Sequence, residues 1–506
     1  MSPLLRSRRS GLRSALVALA VGGTATLSIS VTAAASSNPK TVSAAQTVTV
    51  ALPSDITSFD PATNQLIEYI YAIRNNVFST LVKYGPNLAV VPDLATPAVN
   101  KQATVFTFTL HPGALFQNGA KVTATEVVQS LKRAAGKKSV YAPYLSAVRK
   151  YEVLNPTTLK LVLSKPDAAL LDALTNIAIV APSDFAKAST DPIGSGPFEF
   201  VKWVPNNEIV LKAFPKYFGK KPAYSQLVFK IIPNPSVEVN DLASGAVDVV
   251  PELPASSLAA VSSSRDRVVK ASSSNSLALI EFNSKGKLGN PLIRQALAYA
   301  LDKPAIRKIA YGGYGVSTWN PVPPSSWAYA NLNPYSYNLS KAKALLAKAG
   351  APNLSFTVDL PAGYPEAVQT ATVWQSSLAQ IGVSLKIDTE EISVWLQNYI
   401  NHTYDAIWNF FNESGDPNSF YNIIMLPHLQ ADYHNPGMQK LIGNALATSN
   451  QATRKILYQA LDKMVVNQLP VMVIQTRPLF SAVSKSVHGY QLNPLGWGIF
   501  TGIRKN

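Results

Sequence analysis

From Gln46 onward the chain alternates short period-two runs of apolar residues with stretches of helical spacing. Residues 46–51 (QTVTVA), 105–110 (VFTFTL) and 158–163 (TLKLVL) place apolar or small side chains on every second position, which predicts half-buried strands. Further strands are predicted at 198–201, 208–211, 226–232, 356–360 and 383–387. Helical spacing predicts helices over 67–82, 124–135, 290–310, 341–349 and 367–381. Their ends carry chemical signals. Thr123 followed by Glu126 predicts a capping box, with the Thr side chain on the N3 amide. Asn290 and Pro291 give a cap and a first-turn proline. Ser340 starts the next helix and Gly350 ends it, and Gly382 stops the following one. Strands and helices mix without strict alternation, which predicts α/β lobes rather than a sandwich or a barrel. No fixed-period repeat is present.

The 506 residues suffice for two to four domains at about 150 residues each. There is no cysteine, which removes disulfides, thiolate metal sites and a cysteine nucleophile together. The net charge of +16 raises the question of nucleic acid, but its distribution argues against that partner. Arg6, Arg8, Arg9 and Arg13 account for four of the positives, and the rest are scattered in pairs rather than in a patch that could track phosphates.

Those arginines precede an apolar run from Ala15 to Val21 and the small residues Ala33, Ala34 and Ala35. A basic head, a short apolar stretch and small residues predict an export signal over 1–35, cleaved before Ser36. Ser7 to Arg13 also resembles a twin-arginine signal, with Gly11 departing from the pattern. Residues 36–45 read as a tether. No later apolar stretch approaches the length of a membrane span. The expected location is extracytoplasmic, periplasmic or secreted, without a lipid anchor.

Motifs for catalysis are missing. No Gly-x-Ser-x-Gly elbow, phosphate loop or His-Glu-x-x-His occurs, and the Gly194-Ser195-Gly196 stretch has turn spacing. His428, Asp432 and His434 cluster in sequence without the further ligands a metal needs. No enzyme, metal or cofactor is expected.

Several segments, in order, resemble the extracytoplasmic solute-binding proteins of peptide, oligopeptide and nickel ABC importers, bacterial solute-binding family 5. They are 80–95 (TLVKYGPNLAVVPDLA), 106–128 (FTFTLHPGALFQNGAKVTATEVV), 194–198 (GSGPF), 242–250 (LASGAVDVV), 282–283 (FN), 292–302 (LIRQALAYALD), 341–350 (KAKALLAKAG) and 381–385 (IGVSL). The resemblance covers about 46–500. It implies a bilobal periplasmic-binding-protein-like α/β fold, monomeric, that closes on a solute and delivers it to an ABC permease with its ATPase subunits. Carried onto this chain, lobe I takes 46–80, 190–276 and 478–506, an extra subdomain takes 81–189, and lobe II takes 277–477. Two crossovers, near 276 and 478, form the hinge.

The resemblance also implies a pocket. Peptide binders of this family hold an extended ligand by its main chain, with an acid of a W-x-x-D-Y-x-x-P stretch on its amine. Counting back from Pro417 puts Glu413 at that acid and Phe410 at the tryptophan. Trp408 and Phe411 are candidate cavity walls, and Asp416 beside Pro417 is either a turn former or a ligand group. Gln65 and Glu68 lie where the first lobe meets ligand. The stretch 360–365 lacks the arginine that dipeptide binders of this family place there, which leaves longer peptides or another solute open. Two other readings remain, a secreted hydrolase using Glu413 and Asp416, and a sensory receptor without transport.

Overall fold

The computed structural model describes residues 46–64, 66–85, 88–261, 265–271, 274–412, 414–424 and 433–506. Gln65, Glu413, His428 and Asp432, and the expected signal and tether, lie outside the described residues.

Three sheets organise the chain. The first has seven strands in the order Phe198–Val204, Glu208–Ala213, Gln226–Ile231, Thr47–Leu52, Val249–Val250, Phe480–Ser484 and Asp266–Lys270. Thr47–Leu52 runs parallel to both of its neighbours, and the other pairings are antiparallel. The second has five strands in the order Ser384–Glu390, Ser355–Pro361, Ala406–Asn412, Ser276–Phe282 and Val471–Thr476. The third is an antiparallel sheet of Ala95–Val99, Val105–Leu110, Thr158–Leu163 and Val148–Asn155. The two large mixed sheets centre two lobes, and the third centres the subdomain of the first lobe.

Side-chain alternation explains the layers. In Ser276–Phe282 every residue is buried, with Ala278, Ile280 and Phe282 entering one core and Leu277 and Leu279 the opposite one. Both faces of this sheet are covered, so its central strand reads as an apolar run rather than an alternation. The subdomain keeps its own core around Phe106, Phe108, Leu131 and Leu161.

The chain passes between the two large sheets twice, between the strands Asp266–Lys270 and Ser276–Phe282 and between Val471–Thr476 and Phe480–Ser484. The GSGPF segment is structural: a Cβ on Gly194 would lie 2.2 Å from the Val77 carbonyl oxygen, and one on Gly196 2.4 Å from that of Asn76. Gln117 ties the same place together, donating to the Val77 and Phe198 carbonyls at 2.8 and 2.7 Å and accepting from the Gly194 amide at 2.9 Å.

Some element boundaries depart from expectation. The helix expected over 67–82 stops at Val77 and contains a π-helical turn, Ile70–Arg74. Asn76 turns its side chain back onto the Tyr71 and Ala72 carbonyls, and the chain leaves as the strand Ser79–Thr80. The helix expected over 290–310 is two, Pro291–Tyr299 and Lys303–Ala310. Pro304 supplies no amide to continue the first, and Asp302 caps the second by accepting from Ala305 at 3.0 Å. Asn338 rather than Ser340 caps the helix Leu339–Lys348. At Thr123 the hydroxyl bonds the Glu126 carboxylate instead of an amide.

Candidate functional site

The site forms where the second lobe's strand ends face the first lobe and its subdomain. Ala406–Asn412 carries the candidate aromatic residues toward this face. Trp408 is fully buried in the second-lobe core. Phe410 is half-buried, near Trp408 (6.1 Å between ring centres) and Tyr364 (5.5 Å). Phe411 points to the other side of the sheet, edge-on to Phe420 at 5.8 Å.

Over Phe410 lies a guanidinium. Arg477 occupies the second crossover, and its charge centre sits 4.2 Å from the Phe410 ring and 5.8 Å from the Tyr364 ring. Its Nη2 donates to Glu366 Oε1 at 2.9 Å, and both side chains are mostly buried. Burial works against the arginine's charge, but Glu366 and Glu252 outweigh it and hold its pKa above the ordinary value. From the first lobe, Glu252 faces the same place. It remains open to water, yet protein walls surround it closely enough that desolvation raises its carboxyl, with Arg477 opposing and Glu68 and Glu366 adding to the rise. Glu68 is half-buried on the short helix Ile67–Tyr69. The floor of the cleft thus carries three acids around one arginine, with aromatic rings beside them.

A cavity of about 820 Å³ lies between the subdomain and the second lobe, with polar walls from Asn275, Ser325, Ser449 and Gln451 as well as apolar ones. The subdomain contributes Val90, Val99, Ala168 and Leu171, and the second lobe contributes Trp327 and the loop at Gly415. Direct contacts close its edges. Ser414 donates its hydroxyl to Asp172, which also accepts from the Tyr84 hydroxyl at 3.0 Å. The Ala168 amide donates to the Leu446 carbonyl at 3.0 Å, and the Ser449 amide to that of Lys101 at 3.2 Å. Burial and the nearby Asp416 carboxylate push Asp172 up to about 7, against the pull of Ser414, Tyr84 and Arg454.

Asp416 is committed elsewhere. It pairs with Arg454 at 2.7 Å, both side chains under a tenth exposed, and caps the following helix by accepting from the Asn418 amide at 3.0 Å. Tyr458 donates to it at 3.3 Å. Burial lowers Arg454, but Asp416 and Tyr458 more than reverse that and its pKa stands above the ordinary value.

The structure therefore brings Phe410 and Glu68 to the charged floor, keeps Trp408 in the core, and gives Asp416 a structural pairing. The stretch 360–365 has no arginine of its own, yet Arg477 places one against Tyr364. Sequence reasoning missed Arg477, Glu366, Glu252 and Arg454. A lone arginine between the apolar strand Val471–Thr476 and Pro478 was a usable signal for the first. The others become neighbours only through tertiary packing. Among the described residues no cluster of metal-ligating side chains occurs.

The family described as bacterial extracellular solute-binding proteins, family 5 Middle, matches residues 89–428. The chain belongs to this family. The dipeptide-binding protein of Escherichia coli K12 is 28% identical over 466 residues, covering 82% of this chain and 86% of that protein. Heme-binding protein A of Haemophilus influenzae is 27% identical over 478 residues, covering 85% and 87%. A crystal structure of a Pseudoalteromonas dipeptide binding protein in complex with Met-Leu superposes with a TM-score of 0.80 at 23% identity, over 91% of this chain and 100% of that one. That superposition establishes the shared bilobal fold.

Proposed function

We propose that this protein is the substrate-binding component of an ABC importer, which captures a peptide or a related amine-bearing solute in the interlobe cleft and delivers it to a membrane permease with its ATPase subunits. The family match over 89–428 is the observation that carries this reading. The charge of the cleft supports the amine. Neither Glu68 nor Glu252 has a hydrogen bond or ion pair among the described residues, while Arg477 is already paired with Glu366. An ammonium group would relieve that excess of negative charge, and a charge-assisted hydrogen bond of this kind contributes about 1.5–3 kcal/mol. Glu413, by its sequence position, is assigned as a further partner of the amine.

The hydrolase reading loses support because Asp416, its second carboxylate, is tied to Arg454. Residues 1–35 act as the export signal and 36–45 as a tether, and the protein works outside the cytoplasm as a monomer. Lobe I comprises 46–80, 190–276 and 478–506 with the subdomain 81–189, and lobe II comprises 277–477. Calorimetric titration of the mature chain with oligopeptides tests the assignment. Saturable binding weakened by Glu413→Ala and Glu252→Gln is expected, and no binding at any peptide length would exclude peptides as the solute.

A further inference from the structure

We propose that the loop 312–315 (GGYG) is a strap across the hinge, and that Tyr314 is a positioning residue whose ring holds the two lobes in the arrangement described above. The inference concerns the balance between lobe positions, and it stands whichever solute the cleft takes.

The loop is built to project one side chain. It follows the helix Lys303–Ala310, and the Gly313 amide donates to the Arg307 carbonyl at 2.8 Å while the Tyr314 amide donates to that of Tyr311 at 3.0 Å. Gly313 and Gly315, on either side of the tyrosine, both have φ of 84°, in the left-handed region that strains any side chain. Gly315 is constrained a second time, since a Cβ there would lie 2.4 Å from the Thr476 carbonyl oxygen. Beyond it the chain is tied to the end of the strand Val471–Thr476. The Val316 amide donates to Thr476 Oγ1 at 2.9 Å, and the Thr476 amide donates to the Val316 carbonyl at 2.9 Å. The base of the strap is therefore fixed to the second lobe at the residue where the chain leaves it.

Tyr314 reaches past that residue to the first lobe. Its ring meets Phe480 edge-on, with 5.0 Å between ring centres and 78° between planes, and the Lys270 ammonium lies 5.5 Å from its centre. Lys270 and Phe480 stand opposite one another in the first sheet. Lys270 is the last residue of the strand before the first crossing, and Phe480 is the first residue of the strand after the second. One ring from the second lobe thus touches both chains on the first-lobe side of the hinge. Edge-to-face ring pairs and a cation near a ring attract only over short distances. Rotation of the lobes about the crossings moves the ring off at least one of these partners. Tyr314 is 40% exposed, so it lies outside the cores of both lobes and its contacts bear on their relative position. Contacts made in one arrangement and lost in the other raise the share of chains in the first, before any solute arrives.

The chain has no cysteine, so two introduced ones are the only attachment points for spin labels. Lys221→Cys in the first lobe and Lys348→Cys in the second, both at exposed positions, are labelled in the full mature chain after unfolding, dialysis and refolding have removed any bound solute. Pulsed electron paramagnetic resonance then gives the distribution of separations between the lobes. Tyr314→Ala should lower the ratio of short to long separations at least about threefold, the size expected from losing one ring pair. Tyr314→Phe keeps the ring and should match the parent. A distribution in Tyr314→Ala identical to the parent's, or a shift in Tyr314→Phe as large as that in Tyr314→Ala, overturns the proposal. Melting curves check that each variant folds. If the alanine variant does not fold, Tyr314→Leu, which keeps an apolar side chain without the ring, replaces it and must show the same shift. No solute enters the measurement, so its outcome is separate from that of the peptide titration.

Discussion

Replacing Gly415 by alanine tests the contact between the lobes with a single methyl group. Gly415 does not occupy the left-handed region, so its backbone accepts alanine without strain. The added Cβ would lie 2.3 Å from the Leu88 carbonyl oxygen, 3.0 Å from Asp172 Oδ1 and 3.2 Å from the Tyr84 ring. All three neighbours belong to the subdomain, and a carbonyl oxygen at 2.3 Å cannot be evaded by a side-chain rotation. The overlap therefore acts on the approach of the second-lobe loop to the subdomain, not on the fold of either. Overpacking of this kind costs about 1–3 kcal/mol. A solute that binds the closed arrangement must supply that energy, and tenfold in affinity corresponds to about 1.4 kcal/mol. Dissociation constants should rise about 5- to 150-fold, with solute-induced compaction in small-angle scattering reduced and the melting temperature of the solute-free chain nearly unchanged. Parent-like affinity together with parent-like compaction would refute the idea that closing the cleft brings Gly415 against Leu88.

Other residues give independent tests. Arg454→Met leaves Asp416 buried without its partner and should destabilise the fold by about 3–5 kcal/mol in denaturant unfolding, while the double variant with Asp416→Asn should recover much of the loss. Asp172 holds its proton up to about pH 7 in the native chain, against about 3.9 when unfolded, so its contribution to stability is fully present below about pH 4 and declines as pH rises to 7. Melting temperatures across pH 4–8 should fall less in Asp172→Asn than in the parent. Arg477→Gln removes the cation from Phe410 and leaves Glu366 unpaired, which makes the floor more negative, so titration should show an amine-bearing solute bound at least as tightly at unchanged secondary structure.

The sequence made the elements legible wherever local chemistry determines them. The strands Thr47–Leu52 and Val105–Leu110 and the helix Ala124–Ala134 follow from alternation and spacing within a few residues. Boundaries set by distant packing were less visible, as at Val77, where Asn76 and the Gly194 turn end a helix whose apolar pattern continues. The site divides in the same way. Phe410 and Glu68 could be placed by resemblance, because each sits on a segment with a fixed order along the chain. Asp416 read as a turn former or a ligand group, and its cap of the following helix agrees with the first, but nothing local announces the arginine 38 residues later that neutralises it. The cavity has no sequence signature at all, because its walls come from the subdomain and from separate segments of the second lobe that only the fold brings together.

The position of Phe480–Ser484 in the first sheet has a consequence for the order in which the chain folds. This strand lies between Val249–Val250 and Asp266–Lys270, and among the described residues the latter has no other strand beside it. The first lobe's sheet therefore stays incomplete until nearly the last residues have been synthesised. The five strands of the second sheet, all within 276–476, are available earlier. Folding during synthesis should proceed from the middle of the chain outward, with the C-terminal strand as the final staple. A chain stalled or truncated before residue 480 would leave Asp266–Lys270 without its partner strand, a natural mark for proteases and chaperones to read.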